Sequence, residues 1–404
     1  MSNRINNTPS LFGGILLVVG NVIGAGILAL PVATAQLGLP CAMGILFLFW
    51  LLMTLGAYYF LEANLALPSG ANLISMSRIA LGKWGVGVAW VCNLLVMYSL
   101  ISAYISGGGD LIKTNFQYIG VTLPTWAASI SFLAVFGFIV SLGIHITDHT
   151  NRLLMIAKAV IFATAVIGIT AHFNSNIISI VPQKSVSATL LIIVITSFGF
   201  ATLIPSLRSY YHSDVIKIKK IIFWGTLIPL LCYVLWITVV FSVVPYEGQF
   251  GLAQMATSNH PVSDLQSALS ESLHIPWITQ ATNFFSAICI ITSFLANSIS
   301  LTDFLADGLA LYKNQKKSPW VYVIAYLPAM GAVLFYPKAF LAGLSIAGTL
   351  AIIQVLILPG MIVWFLRYTK KKQPLPYSVS GGKPLLWLLL AISFVLLFFT
   401  LLKS

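Results

Sequence analysis

The sequence predicts an all-α polytopic membrane protein, built as two inverted repeats of five spans with an eleventh span added. Three observations predict it. Hydrophobic residues make up 59% of the 404 and charged residues only 7%, a balance that soluble globular classes do not sustain. Eleven apolar runs approach or exceed the roughly 20 residues needed to cross a bilayer. Two of those runs, the first and the sixth, carry glycine and proline near mid-span. Interrupted segments at corresponding places in two halves mark an inverted-repeat transporter with its site at the midplane.

The spans fall near residues 11–37, 41–66, 85–115, 124–144, 153–171, 188–208, 221–245, 277–312, 320–336, 339–367 and 384–402. Residues 1–171 form the first five-span repeat, 188–367 the second, and 384–402 the additional span. Span one starts from one side of the membrane and span six from the other, so the repeats have opposite topology. Counting Lys and Arg in alternate loops places 17 on the side of the N-terminus and 4 on the other. The excess assigns the N-terminus to the cytoplasm and the C-terminus to the periplasm of a bacterial inner membrane. The apolar run after Arg4 is too long for a signal-peptide core and is interrupted by Asn and Gly, so it reads as a retained first span.

The net charge of +12 would suggest nucleic acid in a soluble chain, but its placement in the loops of a membrane protein does not. No nucleic-acid partner, cofactor or obligatory protein partner is inferred. Cys41, Cys92, Cys232 and Cys289 all fall in apolar spans, which indicates neither a disulfide framework nor a metal cluster. His145-Ile146-Thr147-Asp148-His149 has ligand spacing, but in a cytoplasmic loop it reads as solvated. No Ser-His-Asp set or nucleotide loop occurs at membrane depth, so the chain reads as neither an enzyme nor a primary pump. A channel would show rings of charge or a filter rather than two asymmetric breaks.

Span one contains Gly20-Asn21-Val22-Ile23-Gly24-Ala25-Gly26-Ile27-Leu28-Ala29-Leu30-Pro31. Each glycine costs a helix about 1 kcal/mol relative to alanine, and proline removes a donor. In lipid the freed backbone groups must be satisfied, so such a break survives only in a protein interior or beside water. Close packing through small residues would account for Gly20 and Gly24 alone; Asn21, Gly26 and Pro31 favour a break at a substrate site. Ser69 to Trp84 reads as a short amphipathic segment along the cytoplasmic surface. Gly107-Gly108-Gly109 in span three lets that span approach its neighbours. Span six repeats the theme in Thr196-Ser197-Phe198-Gly199-Phe200, with Pro205 after it. The outer loop from Tyr246 to Pro276 lacks Lys and Arg, and Ser263-x-x-Gln266 has the form of a capping box opening a short helix. The loop is long enough to act as a lid, and a merely solvated loop is the alternative reading.

Several of these stretches carry a family likeness. Ile23-Gly24-Ala25-Gly26-Ile27-Leu28-Ala29-Leu30-Pro31 resembles the first-span motif of the bacterial aromatic and hydroxy amino-acid permeases, within the amino acid–polyamine–organocation superfamily. So do Ala103-Tyr104-Ile105-Ser106-Gly107-Gly108-Gly109-Asp110, Ser197-Phe198-Gly199-Phe200 and Asp303-Phe304-Leu305-Ala306-Asp307-Gly308. The likeness covers nearly the whole chain and is greatest to the tyrosine-specific permeases, with tryptophan permeases next. It implies a LeuT-like core, a single amino-acid substrate and proton coupling. A tryptophan- or broad aromatic-specific permease, or a facilitator, are the alternatives.

An amino-acid zwitterion needs donors for its carboxylate and acceptors for its ammonium. A broken helix offers amides at its second half and unwound carbonyls at its first. The carboxylate is placed at Gly24, Ala25 and Gly26, and the ammonium at carbonyls of Val22, Ile23, Ser197 and Phe198. Phe198, Gly199, Phe200, Tyr98, Ser102 and Tyr104 are the candidates for a ring pocket. The intramembrane amides Asn297 and Gln354 read as interhelical hydrogen bonds. Four ionisable groups are candidates for proton coupling, because such groups are costly in lipid. Glu62 lies near an end of span two, where snorkelling competes. Asp110 and Lys113 have the spacing of a structural pair. Asp303 lies with Asp307 at the inner end of span eight. Lys158 lies about 9 Å into span five, where snorkelling competes with a functional role, and by the resemblance it matches the place where proton-coupled relatives hold a lysine in lieu of a sodium ion. Thr292 and Ser293 are its expected neighbours.

Overall fold

The computed structural model describes residues 10–68, 71–118, 120–174, 186–248, 251–255, 258, 260–309, 311–313, 316–336, 338–369 and 376–402. Ser69, Lys184, Lys370, Lys371, Lys372, Lys403 and Arg4 lie outside the described residues, as do the side chains of His145 and Asp148. Among the described residues, eight helices are long and apolar enough to cross a membrane, or nine when one bent pair is counted as a span. Two further apolar helices, Thr125–Ser141 and Pro319–Phe335, occupy the fourth and ninth apolar runs. Helices or helix pairs therefore stand at all eleven expected places, in a multi-pass membrane protein.

The helix ends follow local chemistry. Ser10 Oγ accepts from Gly13 N–H to start span one, and Asp214 Oδ1 accepts from Lys217 N–H to start span seven, Val215–Val243. Span two, Leu39–Leu65, follows Gly38 at φ 72°, with Pro40 in its first turn, where a missing N–H costs nothing. The amphipathic segment is a helix that meets span three at a kink within Leu73–Tyr118, at Gly82, whose non-helical φ of 66° suits a residue without a Cβ. Span five begins earlier than expected, at Ile144 and runs to Thr170, so His145 to His149 occupy helical turns rather than a loop.

Small residues set the closest approaches. A Cβ at Gly107 would meet Phe340 of span ten, one at Gly108 would meet Phe132 of span four, and one at Gly109 would meet Ser129. The glycine run thus does what was expected of it, letting span three sit against spans four and ten. Span eight, Pro276–Gly308, packs on spans three and five, and span seven packs on span one. Span ten runs from Ala339 to Thr369 through two π-helical stretches, Ile352–Ile357 and Phe365–Thr369. Span eleven, Gly382–Leu402, packs on the first of them.

Two expectations are corrected at the ends of the bundle. The helix in the loop from Tyr246 to Pro276 runs Pro261–Leu273, two residues ahead of the expected capping box. Pro261 is pre-set for a first helical position, and the capping role of Ser263 is lost. The Ser263 N–H is instead satisfied by Asp110 Oδ2 at 3.1 Å, while Gln266 Nε2 donates to Ser286 of span eight. Asp110 does not pair with Lys113, because it turns to this helix N-terminus and to His260 Nδ1 at 3.0 Å; Lys113 Nζ donates to Thr125 Oγ1. At the other end Glu62 does not snorkel. It is fully buried and bound bidentately by Arg367, at 2.5 and 2.6 Å, and its Oε2 also accepts from the Val379 N–H. Arg367 in turn donates to the Val379 carbonyl, which leaves the buried carboxylate fully partnered.

Candidate functional site

Span one breaks between Val22 and Gly26, and its halves Leu11–Val22 and Gly26–Leu37 meet at 53°. The break is an inverse γ-turn centred on Ile23, with φ −76° and ψ 81°, closed by Gly24 N–H donating to the Val22 carbonyl at 2.8 Å. That turn rotates the Ile23 carbonyl off the helix ladder. Lys158 Nζ reaches it at 2.5 Å, and its second partner is Thr292 Oγ1 at 3.1 Å. Thr292 donates its own hydrogen to the Ile288 carbonyl, so its lone pairs face the ammonium. Lys158 is 4% exposed. A buried ammonium held by a backbone carbonyl and a hydroxyl thus joins span five to spans one and eight.

The amide side of the break has a different set of partners. Ala25 N–H donates to Ser293 Oγ at 3.2 Å, and Tyr104 lines the same cavity as Ser293. Ile27 N–H and Leu28 N–H fold back onto the Gly24 and Ala25 carbonyls. Among the described residues, no acceptor meets the Gly26 N–H, which is the first donor of a helix N-terminus. A Cβ at Gly24 would run into Ser293 Oγ, and one at Gly26 into Ser197 Oγ at 2.6 Å and Cα at 3.2 Å.

Span six is interrupted without a comparable bend. Its first half, Ala188–Ser197, tightens through Phe198 N–H to the Ile195 carbonyl and Gly199 N–H to the Thr196 carbonyl, both at 3.1 Å. A 3₁₀ turn, Ala201–Leu203, then leads into Ile204–Tyr210. Tyr233 of span seven ties the two breaks together: its hydroxyl lies 2.6 Å from the Val22 carbonyl and 2.9 Å from the Ser197 carbonyl. Thr196 Oγ1 donates across to the Leu344 carbonyl of span ten.

A cavity opens from the breaks, lined by Gly24, Ala25, Gly26, Ser197, Gly199 and Phe200 together with Tyr104 and Ser293. It continues past Asn297 toward Asn93 and Gln354, away from the helix Pro261–Leu273. Eight of the twelve expected binding residues, Val22 among them, therefore gather on its wall. Others face elsewhere. Phe198 stacks edge-on against Tyr233, with centroids 5.4 Å apart, behind the break. Tyr98 donates to the Ile324 carbonyl and Ser102 to the Ala329 carbonyl, so both tie span three to span nine. Ile23 contributes its carbonyl to Lys158.

Of the four ionisable candidates, the structure brings only Lys158 to the break. Glu62 and Asp110 are committed at opposite ends of the bundle. Asp303, half-buried, lies eleven residues beyond Thr292 on span eight, about 16 Å along the axis, too far to pair with Lys158. Outside the spans, hydrogen bonding to Asp110 raises the His260 pKa above its ordinary value of 6.5, against a smaller opposing effect of burial. Sequence reasoning missed Tyr233, Asn93 and the cavity-facing side of Asn297. Tyr233 sits in an apolar run with 15 tyrosines in the chain to compete with it, and no spacing rule singles it out.

Comparison with known proteins extends this geometry. The model of the tryptophan/tyrosine permease family matches residues 7–400. Tyrosine-specific transport system 2 of Haemophilus influenzae is 29% identical, with 96% of this chain and 95% of the relative covered. A tryptophan-specific transport protein of Pseudomonas aeruginosa is 30% identical, covering 96% and 92%. Glutamine transporter 2 of Aliivibrio fischeri is 29% identical, covering 96% and 98%. A multi-pass helical bundle with a broken first span, a cavity at the break and a family match along almost its whole length is a transporter and not an enzyme: this chain belongs to the tryptophan/tyrosine permease family.

Proposed function

We propose that the chain is a proton-coupled importer of aromatic amino acids, with tyrosine the foremost substrate. It works on a LeuT-like core of two inverted five-span repeats, with the N-terminus in the bacterial cytoplasm and the C-terminus outside. Family membership and the tyrosine- and tryptophan-specific relatives support the substrate class. The observation that carries the coupling is the Lys158 ammonium on the Ile23 carbonyl at the first break.

The substrate carboxylate docks on the Gly26 N–H, where the N-terminal end of the second half-helix favours negative charge; the Gly24 and Ala25 amides, which donate to the Val22 carbonyl and Ser293 Oγ, join it by exchanging those partners. Its ammonium meets the Ser197 and Phe198 carbonyls. The Val22 carbonyl already accepts from Gly24 N–H and lies against Tyr233, so both its lone pairs are used. Lys158 keeps its proton while the Ile23 carbonyl and Thr292 solvate it. When spans one and eight move apart during alternating access, those partners leave. The charged amine then loses its stabilisation and gives up the proton.

The test compares two modes of transport in liposomes. With Lys158→Gln, tyrosine accumulation driven by a pH gradient should collapse while gradient-free exchange persists. If both fall together, Lys158 is a brace only. If Lys158→Gln still concentrates tyrosine on a pH gradient alone, the coupling assignment is wrong.

A further inference from the structure

The cavity offers four side-chain amides, and they are not equivalent. Gln354 Nε2 donates to Asn93 Oδ1 at 2.7 Å, so these two satisfy each other far from the breaks. Asn21 lies three residues before Gly24, on the same segment as the backbone donors. Asn297 stands between. Its Nδ2 donates to the Ser293 carbonyl at 3.0 Å, a bond within its own helix. That partner fixes the amide's orientation chemically, since a carbonyl can only accept. Oδ1 is left with its lone pairs on the cavity wall, beside the second N–H.

The position follows from helix geometry. Ser293 Oγ holds the Ala25 N–H at the break. Asn297 is one turn further along span eight, about 6 Å deeper in the direction the cavity runs. An aromatic amino acid held by its carboxylate at the Gly26 N–H extends its ring along the strip made by Ser293, Ala296 and Asn297. The ring's outer edge then meets Oδ1.

We propose that Asn297 is the residue that determines specificity within the aromatic class, an inference that rests on the aromatic reading above. Its Oδ1 accepts a hydrogen bond from the substrate's ring donor. A phenol hydroxyl donates to Oδ1 and accepts from the second N–H. An indole N–H uses Oδ1 alone. A phenyl ring offers neither and strips water from an acceptor it cannot pair, which a site built for hydrogen bonding rejects strongly. The order of preference is tyrosine, then tryptophan, then phenylalanine.

Affinities of tyrosine, tryptophan and phenylalanine for the purified full chain, unaltered and as Asn297→Ala and Asn297→Ser, test the assignment. The unaltered protein should hold tyrosine at least about tenfold more tightly than phenylalanine. In Asn297→Ala that ratio should fall below about threefold, with phenylalanine held as tightly as before or more tightly once the unpaired acceptor is gone, and Asn297→Ser should lie between. Phenylalanine binding that does not weaken shows that each variant is folded. Equal binding of phenylalanine and tyrosine by the unaltered protein, a ratio preserved in Asn297→Ala, or an equal loss for all three ligands overturns the proposal. Binding of glutamine alone by the unaltered protein would overturn the aromatic reading itself, and that outcome is seen before any variant is made.

Discussion

The two breaks look alike in sequence and differ in how they are held. The first is a γ-turn bent by 53°, and side chains from spans five, seven and eight bond its backbone, one of them charged. The second is a helix that tightens into 3₁₀ geometry, closed by its own backbone and touched at Ser197 by the Tyr233 hydroxyl. Movement of span five or eight against span one must therefore break a bond at the first break. The turn bonds of the second survive the same movement. A break held from outside senses its neighbours; a break held by itself only shapes the cavity.

The largest expected effect comes from filling the space between the breaks. Gly26→Val places its Cβ against the Ser197 backbone, which cannot rotate away, whereas Gly24→Val meets a serine side chain that can. Both variants should lose substrate binding, Gly26→Val more completely. The ligand-induced thermal stabilisation, about 2.7 kcal/mol at a hundredfold excess over Kd, should vanish in Gly26→Val. Normal stabilisation there would mean that the two segments need not meet.

Phe198→Ala tests the second break next. Buried against Tyr233 rather than on the cavity wall, the ring should cost about 3–5 kcal/mol of stability when truncated. It should weaken all substrates alike. A loss confined to aromatic substrates would place Phe198 in the pocket, as the sequence alone had led us to expect.

Tyr233→Phe probes the link between the breaks. One phenolic hydrogen serves two carbonyls, so its removal should cost about 1–3 kcal/mol, read as a lowered melting temperature. If transport rate and affinity are untouched while stability falls, the two breaks move independently.

The smallest effect separates the pH response of the helix Pro261–Leu273 from that of the first break. Because His260 has a raised pKa in the folded chain, its pairing with Asp110 stabilises that helix fully below about pH 6.5. That contribution fades as pH rises through the raised value. Hydrogen exchange of the helix at Pro261–Leu273, divided by the intrinsic base-catalysed rate at each pH, should quicken across this window, and His260→Gln should flatten that corrected dependence. A corrected slope that persists in His260→Gln would have to come from another group.

The sequence revealed what is periodic or costly. Apolar run lengths located the helices, the glycines and prolines of spans one and six located the breaks, and a lone lysine inside span five stood out because lipid penalises it. Rotation about a helix axis was not legible, since one residue turns the face by about 100°. That is why Phe198 was expected on the cavity wall and Asn297 between helices. Partners distant in the chain were equally hidden: Asp110 finds His260, and Tyr233 finds Val22, through packing that no spacing rule encodes.

The clamp on Glu62 has a consequence for how the protein is made. Its carboxylate belongs to the second span, yet the guanidinium that neutralises it arrives 305 residues later and the amide of Val379 later still. During synthesis, span two must carry an uncompensated acid, or keep that end near water, until almost the whole chain has left the ribosome. The final seating of span two is therefore one of the last events of assembly. A chain ended before Arg367 should remain accessible to a carboxylate-directed reagent at Glu62, whereas the finished protein should not.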